Sequence, residues 1–194
     1  MGLLRAFIAA ELPPFLQDAI QTATVSVRRT LGAELVRWVP AHNVHLTLKF
    51  LGDVSPTSVD LIKHMLETEA GNHSIFDATI EGFGCYPNAR RPRILWVGLE
   101  APPSLASLQH DLNAAAARLG YPAEDREFSP HLTIGRVRQN ATATEVQQIR
   151  AEVEHVQLGA LGTTRIDSVH LFKSDLLPSG SVYTKLFTAR LGPE

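Results

Sequence analysis

Two short stretches of the chain carry one four-residue pattern, His45-Leu46-Thr47-Leu48 and His131-Leu132-Thr133-Ile134, 86 positions apart. The chain holds 8 His. At its composition a lone His-x-Thr triplet arises by chance roughly 0.6 times, the fuller pattern about 0.01 times, and two copies of it roughly 0.0001 times. On a strand, residues i and i+2 share a face, so each copy would display an imidazole and a hydroxyl together while Leu46 or Leu132 enters the core. Two such strands related by a pseudo-twofold would bring two imidazoles across one cleft, with two hydroxyls able to donate to nonbridging phosphate oxygens. Displacement at phosphorus needs a proton taken from the attacking water and another delivered to the leaving oxygen. Imidazole, with an ordinary pKa of ~6.5, suits both tasks, each typically worth about 10²–10⁴ in rate. Arg136, five residues after His131, can add a fixed positive charge for the pentacoordinate phosphate. A regular strand would send it to the face opposite His131, so this role requires the strand to end or bulge near Gly135. The two motifs are near-identical, and nothing in them says which histidine is the acid and which the base.

These side chains need elements to hold them. Leu3 to Glu11 reads as a strand, and Pro13-Pro14 then opens a helix. Leu16, Ile20, Ala23, Val27 and Leu31 recur at helical spacing, predicting one helix that Gly32 ends. Val44 to Leu51 alternates like a half-buried strand, Gly52-Asp53 turns the chain, and Ser55-Pro56 starts a helix with Val59, Ile62 and Leu66 that Gly71 stops. Phe76 to Glu81 and Ile94 to Leu99 read as strands, with GFGCYPNARRPR between them as an exposed loop bearing Arg90, Arg91 and Arg93. Leu105, Leu108, Leu112, Ala115 and Leu119 mark a third helix over Ser104–Leu119. A strand over His131–Val137, a helix from Thr144 to Val153, and strands near Arg165–Lys173 and Ser181–Arg190 complete the chain. No linker composition divides it, which predicts one α+β unit over residues 1–194 with largely antiparallel sheets and helices on one face of each.

The composition bounds the rest. With 194 residues, 44% hydrophobic and 20% charged, the chain has the balance of a globular protein. Its formal net charge of -2 exerts no global pull on a phosphate backbone or an anionic membrane, so a nucleic acid would have to be gripped locally. The single cysteine, Cys85, cannot close an intramolecular disulfide, which suits a reducing compartment and a cytoplasmic location. Arg5 and Glu11 interrupt the apolar N-terminal stretch, so it does not read as a signal peptide. His42, His64, His73, His110, His155 and His170 lie outside any motif, and a mononuclear metal site would need three converging ligands, so no metal is expected. Tyr86, Trp38 and Phe50 are candidate stacking faces for a base, with core packing as the alternative for each.

The chain resembles the 2H phosphoesterases, and within them the bacterial and archaeal RNA 2′,3′-cyclic phosphodiesterases, also called 2′-5′ RNA ligases. The resemblance covers nearly the whole chain through RAFIAAEL, RWVPAHNVHLTLKFLGDV, GFGCYPNARRPRILWVGL and FSPHLTIGRV, the two histidine motifs being its specific part. It implies a bilobal α+β fold in which two antiparallel sheets with outer helices flank a central cleft. It also implies hydrolysis of a terminal 2′,3′-cyclic phosphate on RNA to a 2′-phosphate, without metal, ATP or any other cofactor. Carried over by motif, His45 would be the proton donor to the departing 3′ oxygen and His131 the base on water. Thr47, Thr133 and Arg136 would hold the phosphate. The expected partner is RNA with a cyclic phosphate end, with no membrane and no obligatory protein partner, and the chain is expected to be a monomer. Two other readings keep the same cleft: a phosphodiesterase on small cyclic phosphates, such as cyclic nucleotides or ADP-ribose cyclic phosphate, and a noncatalytic RNA-end binder.

Overall fold

The computed structural model describes residues 2–124, 126–178 and 180–193. In chain order the elements are β1 (Leu4–Glu11), α1 (Pro14–Ala23), α2 (Val25–Leu35), β2 (Val36–Trp38), β3 (His45–Val54), α3 (Val59–Gly71), β4 (Phe76–Tyr86), β5 (Ile94–Glu100), α4 (Pro103–Arg118), β6 (His131–Val137), α5 (Ala143–His155), β7 (Gly162–Ile166), β8 (Ser168–Leu177) and β9 (Gly180–Arg190). The strands run in the order β7-β4-β5-β6-β3-β1-β8-β9, with β2 also on β6, and every ladder between them is antiparallel. This is the α+β class with antiparallel sheets that the sequence predicts.

Both histidine motifs open a strand, β3 and β6, and those strands touch at one register pair, Leu46 opposite Leu132. Both leucines are fully buried. The sheet is therefore two halves hinged on the motifs, with β1, β8 and β9 on one side and β5, β4 and β7 on the other. Continuing the antiparallel register by one residue sets His45 alongside Thr133 and Thr47 alongside His131.

The two strands also deviate from regularity in the same way. Half-buried His and Thr flank a buried Leu, two consecutive buried residues follow, and the next residue is exposed. On β3 the doubled residues are Leu48-Lys49, because Lys49 pairs with Ile8 while Thr47 pairs with Ala9. On β6 they are Ile134-Gly135, because Gly135 pairs with Leu95 while Thr133 pairs with Trp96. Each is a β-bulge, and each returns the fifth residue after the histidine to the histidine's own face. Those residues are Phe50 and Arg136. The bulge that Arg136 requires is thus present, at Gly135 itself.

Helices cover the face that carries the leucines. Helix α4 links β5 to β6 in the chain, yet it packs on β3 and α3 in the other half. Helix α2 lies between β1 and β3 in the chain and packs on β2 and α5, beside β6. Each half is covered by a helix from the crossover of the other.

Several expectations need correction, and one is the turn at Gly52-Asp53, since both residues lie within β3 opposite Ala6 and Arg5. The first helix is two, because Thr24 leaves helical geometry with its hydroxyl donating to the Ile20 carbonyl at 2.8 Å, a side-chain bond that competes with the backbone ladder. Gly32 breaks α2 at φ 66, ψ 169, a conformation open essentially to glycine. Strand β4 continues through Tyr86 instead of ending at Glu81, so GFGCY is sheet and only the following residues loop. The Trp96 ring lies where a Cβ on Gly84 would stand, 2.4 Å away at its nearest atom, so the glycine there serves packing within a strand. The Arg165–Lys173 segment is two strands parted at Asp167, and Leu119 is exposed just beyond α4.

A Cβ on Gly135 would meet Val36 Cγ1 at 2.6 Å and the Trp38 ring at 3.0 Å. Gly135→Ala should therefore destabilise the protein by roughly 1–3 kcal/mol through overpacking, read as a lowered urea midpoint with unchanged slope.

Candidate active site

Each motif histidine is oriented from its own lead-in. The ring Nδ1 of His45 lies 2.7 Å from the Asn43 carbonyl, and that of His131 lies 2.8 Å from the Ser129 carbonyl. A carbonyl only accepts, so both Nδ1 atoms carry hydrogen and donate, leaving Nε2 as the basic nitrogen of each neutral ring. A tyrosine ring stands edge-on to each imidazole: Tyr183 to His45 at 5.2 Å and 86°, Tyr86 to His131 at 4.9 Å and 79°. The hydroxyls of Tyr86 and Ser129 hydrogen-bond at 2.6 Å, tying β4 to the segment that precedes His131. Asn43 donates to the Ser181 carbonyl at 2.9 Å and ties the β9 hairpin to the segment before His45.

A buried lysine links the two motifs. Lys49, in the first bulge, is fully buried, and its ammonium donates to Asn113 Oδ1 at 2.7 Å and to the Pro122 carbonyl at 2.6 Å, with Glu124 at 3.6 Å. Three oxygen partners compensate a charge that would otherwise be costly to bury. They fasten α4 and the chain leading toward His131 against the strand that carries His45.

The symmetry ends at the walls. His45 stacks on Phe7 at 4.9 Å, and Phe7 stacks in turn on Phe172 at 5.3 Å. Burial by these rings lowers the His45 pKa from the usual imidazole value; the bond to the Asn43 carbonyl opposes this, Arg136 adds to it and Glu11 opposes it. Next to His45 in the ladder, Glu11 accepts from Lys185 and lies 3.5 Å from Nε2 of His170, which is buried and 3.0 Å from Thr188 Oγ1. Burial lowers the His170 pKa too, with Lys185 acting in the same direction. Neither Phe7 and Phe172 nor the Glu11, His170 and Lys185 cluster stands out from sequence. The alternation of Phe7, Ala9 and Glu11 along β1 is the signal that could have found the first strand's share.

The sequence-derived residues fall in two groups. His45, Thr47, His131, Thr133 and Arg136 share one face of the paired strands. Phe50, 58% exposed, and Tyr86 border that face. Trp38 does not: its indole donates to the Gly32 carbonyl at 3.2 Å and packs with the core under Arg28. A groove of about 570 Å³ between β7 and the β1–α1 turn reaches the site only at Glu11 and His170, and neither motif histidine lines it. Among the described residues no three His, Cys, Asp or Glu side chains converge as metal ligands, and no helix is long and apolar enough to cross a membrane.

A model of the 2′-5′ RNA ligase superfamily matches residues 12–176. The chain belongs to that superfamily. An RNA 2′,3′-cyclic phosphodiesterase of Methanothermobacter thermautotrophicus is 31% identical over 97% of this chain and 99% of its own length. One of Aquifex aeolicus is 28% identical over 99% of this chain and 100% of its own. Among solved structures, TT0787 of Thermus thermophilus superposes with TM-score 0.80 at 28% identity, covering 98% of this chain and 99% of that one. E. coli LigT complexed with 3′-AMP superposes with TM-score 0.73 at 26% identity, covering 97% and 98%. Within this superfamily chain, the half-buried histidine and hydroxyl positions described above form the open face of the two strands.

The lowered pKa values of His45 and His170 carry a stability consequence. Below the ordinary value of ~6.5 the unfolded chain binds more protons than the folded one, so their contribution is present above that pH and is lost as pH falls through the folded values. Unfolding free energy from urea titrations should decline from pH 7 toward pH 5, and the decline should be shallower in His170→Gln.

Proposed function

We propose that the chain is an RNA 2′,3′-cyclic phosphodiesterase, opening the terminal cyclic phosphate with water to leave a 2′-phosphomonoester. The observation that carries this reading is the pairing of two Nδ1-anchored imidazoles on strands joined at Leu46 and Leu132, each with a threonine hydroxyl two residues on. One imidazole takes the proton of the attacking water as its oxygen bonds to phosphorus, and the other delivers a proton to the 3′ oxygen as the P–O3′ bond breaks. Following the family resemblance, His131 is the base and His45 the acid. Thr47 and Thr133 donate to nonbridging oxygens, and the Arg136 guanidinium offsets the charge that builds on the pentacoordinate phosphate. Burial makes His45 a reluctant cation in the free protein, and a bound phosphate anion restores its proton. Attack by an RNA 5′-hydroxyl on the same cyclic phosphate, forming a 2′-5′ link as the P–O3′ bond breaks, is the same displacement with a different nucleophile, and water prevails where RNA ends are dilute. The two halves act as one catalytic unit, in the cytoplasm, with no metal or ATP in any step.

The test is a short RNA ending in a 2′,3′-cyclic phosphate, incubated with purified protein in chelator without ATP. A 2′-phosphate product is expected, and His45→Ala or His131→Ala should each lower the rate by at least ~10². Full activity in both variants would overturn the reading. No turnover of RNA, with turnover of a small cyclic phosphate, would move the substrate to that class.

The pH profile tests the two-histidine reading. kcat/KM, which reports the free enzyme, should be bell-shaped with its acidic limb below the ordinary imidazole value, because burial lowers the His45 pKa, and that limb should move up in kcat. A monotonic profile would contradict catalysis by two titrating imidazoles.

A further inference from the structure

Arg37 and Arg136 are direct partners across the β2–β6 ladder. Directly opposed residues of an antiparallel pair project on the same side, and those Cβ atoms stand about 4.5–5.5 Å apart. The side is that of the site, because Val36 is buried in the core and Trp38 packs against it from the other face of β2. Both arginines are exposed, and among the described residues neither has a carboxylate partner. Like charges directly opposite destabilise a sheet. An anion between or beside them removes that cost. The same row continues through Ile94 to Tyr86, and the loop joining β4 to β5 at this end bears exposed Arg90, Arg91 and Arg93. A chain of net charge -2 therefore gathers five guanidiniums at the end of the face beyond Thr133 and His45.

We propose that Arg37 binds the phosphodiester immediately 5′ of the reacting cyclic phosphate, which makes an RNA end of two or more nucleotides the preferred substrate over a lone cyclic nucleotide. This rests on the reading of Arg136 as a ligand of the reacting phosphate. Two long side chains rooted side by side hold successive phosphates of one strand, and the remaining arginines extend the positive track outward. A mononucleotide has no phosphate to offer Arg37.

The experiment compares a nucleoside 2′,3′-cyclic phosphate with a hexanucleotide carrying the same end, for wild type and for Arg37→Gln. Wild type should favour the hexanucleotide. In Arg37→Gln the ratio of kcat/KM for hexanucleotide over mononucleotide should fall roughly tenfold to a hundredfold, the size of one charge-assisted hydrogen bond, and the change should lie in KM. The slope of log kcat/KM against log salt for the hexanucleotide should fall by about 0.7, the share of one phosphate contact on a single strand. An unchanged ratio overturns the proposal, as does a loss equal for both substrates.

Fluorescence anisotropy with a hexanucleotide ending in a 2′-phosphate separates binding from chemistry. Weaker binding by Arg37→Gln keeps the subsite even where wild type turns over neither substrate, an outcome that removes the catalytic reading alone. Equal affinity of the two proteins removes the subsite whatever the turnover shows.

Discussion

The contact of Leu46 with Leu132 sets the site. It is the one register pair between β3 and β6 among the described residues, and the strands on either side of it carry every group assigned to chemistry. Burying a leucine is worth roughly 1.5–3 kcal/mol, and a close-packed interior tolerates little change in the volume it fills. The separation of two imidazoles is thus determined by side chains that never meet a substrate. A slip of one residue in either strand would turn its histidine into the core and its leucine into solvent, so the hydrophobic pattern also enforces the chemistry's register.

Two bulges then give a nearly symmetric frame an asymmetric content. Each lets the fifth residue after its histidine rejoin the open face, and the residues delivered there are a phenyl ring and a guanidinium. The same positions inside the bulges hold Lys49 and Gly135. One uses its length to fasten the approach to the second motif; the other leaves room for Val36 and Trp38. Around the histidines the frame repeats Nδ1 bonds and tyrosine edges, whereas only His45 is walled in by stacked phenyl rings. Twofold geometry thus hosts two imidazoles in unlike surroundings, and unlike surroundings are what set two like titratable groups apart.

The motifs were legible because their period of two is local, and so was the need for an irregularity at Gly135. Helix α4 was legible for the same reason, its leucines recurring at helical spacing. What escaped was set across the sheet. Glu11 meets Lys185 from 174 positions away, and Tyr183 reaches His45 only because β9 folds back through β8 and β1. Arg37 sits in a three-residue strand whose partner lies about a hundred residues on, so neither its face nor its neighbour follows from the local pattern. The break at Thr24 and the length of β4 failed for another reason. A side-chain hydroxyl shares the last helical carbonyl with its own backbone N–H in one, and a tryptophan ring claimed the space over a glycine in the other.

The exchange of covering helices has a mechanical meaning. Because α4 roofs the half that holds His45 and α2 roofs the half that holds His131, drawing the halves apart would strip apolar cover from both. The face between them is not the mouth of a hinge but the inside of a clasp, each arm gripping the other's back. Such an architecture ties the placement of the two motif strands together, since part of the cover on β3 comes from α4, which the chain reaches only after passing through β4 and β5. The two histidine strands are thereby braced as one unit, each partly by apolar cover that the other half supplies.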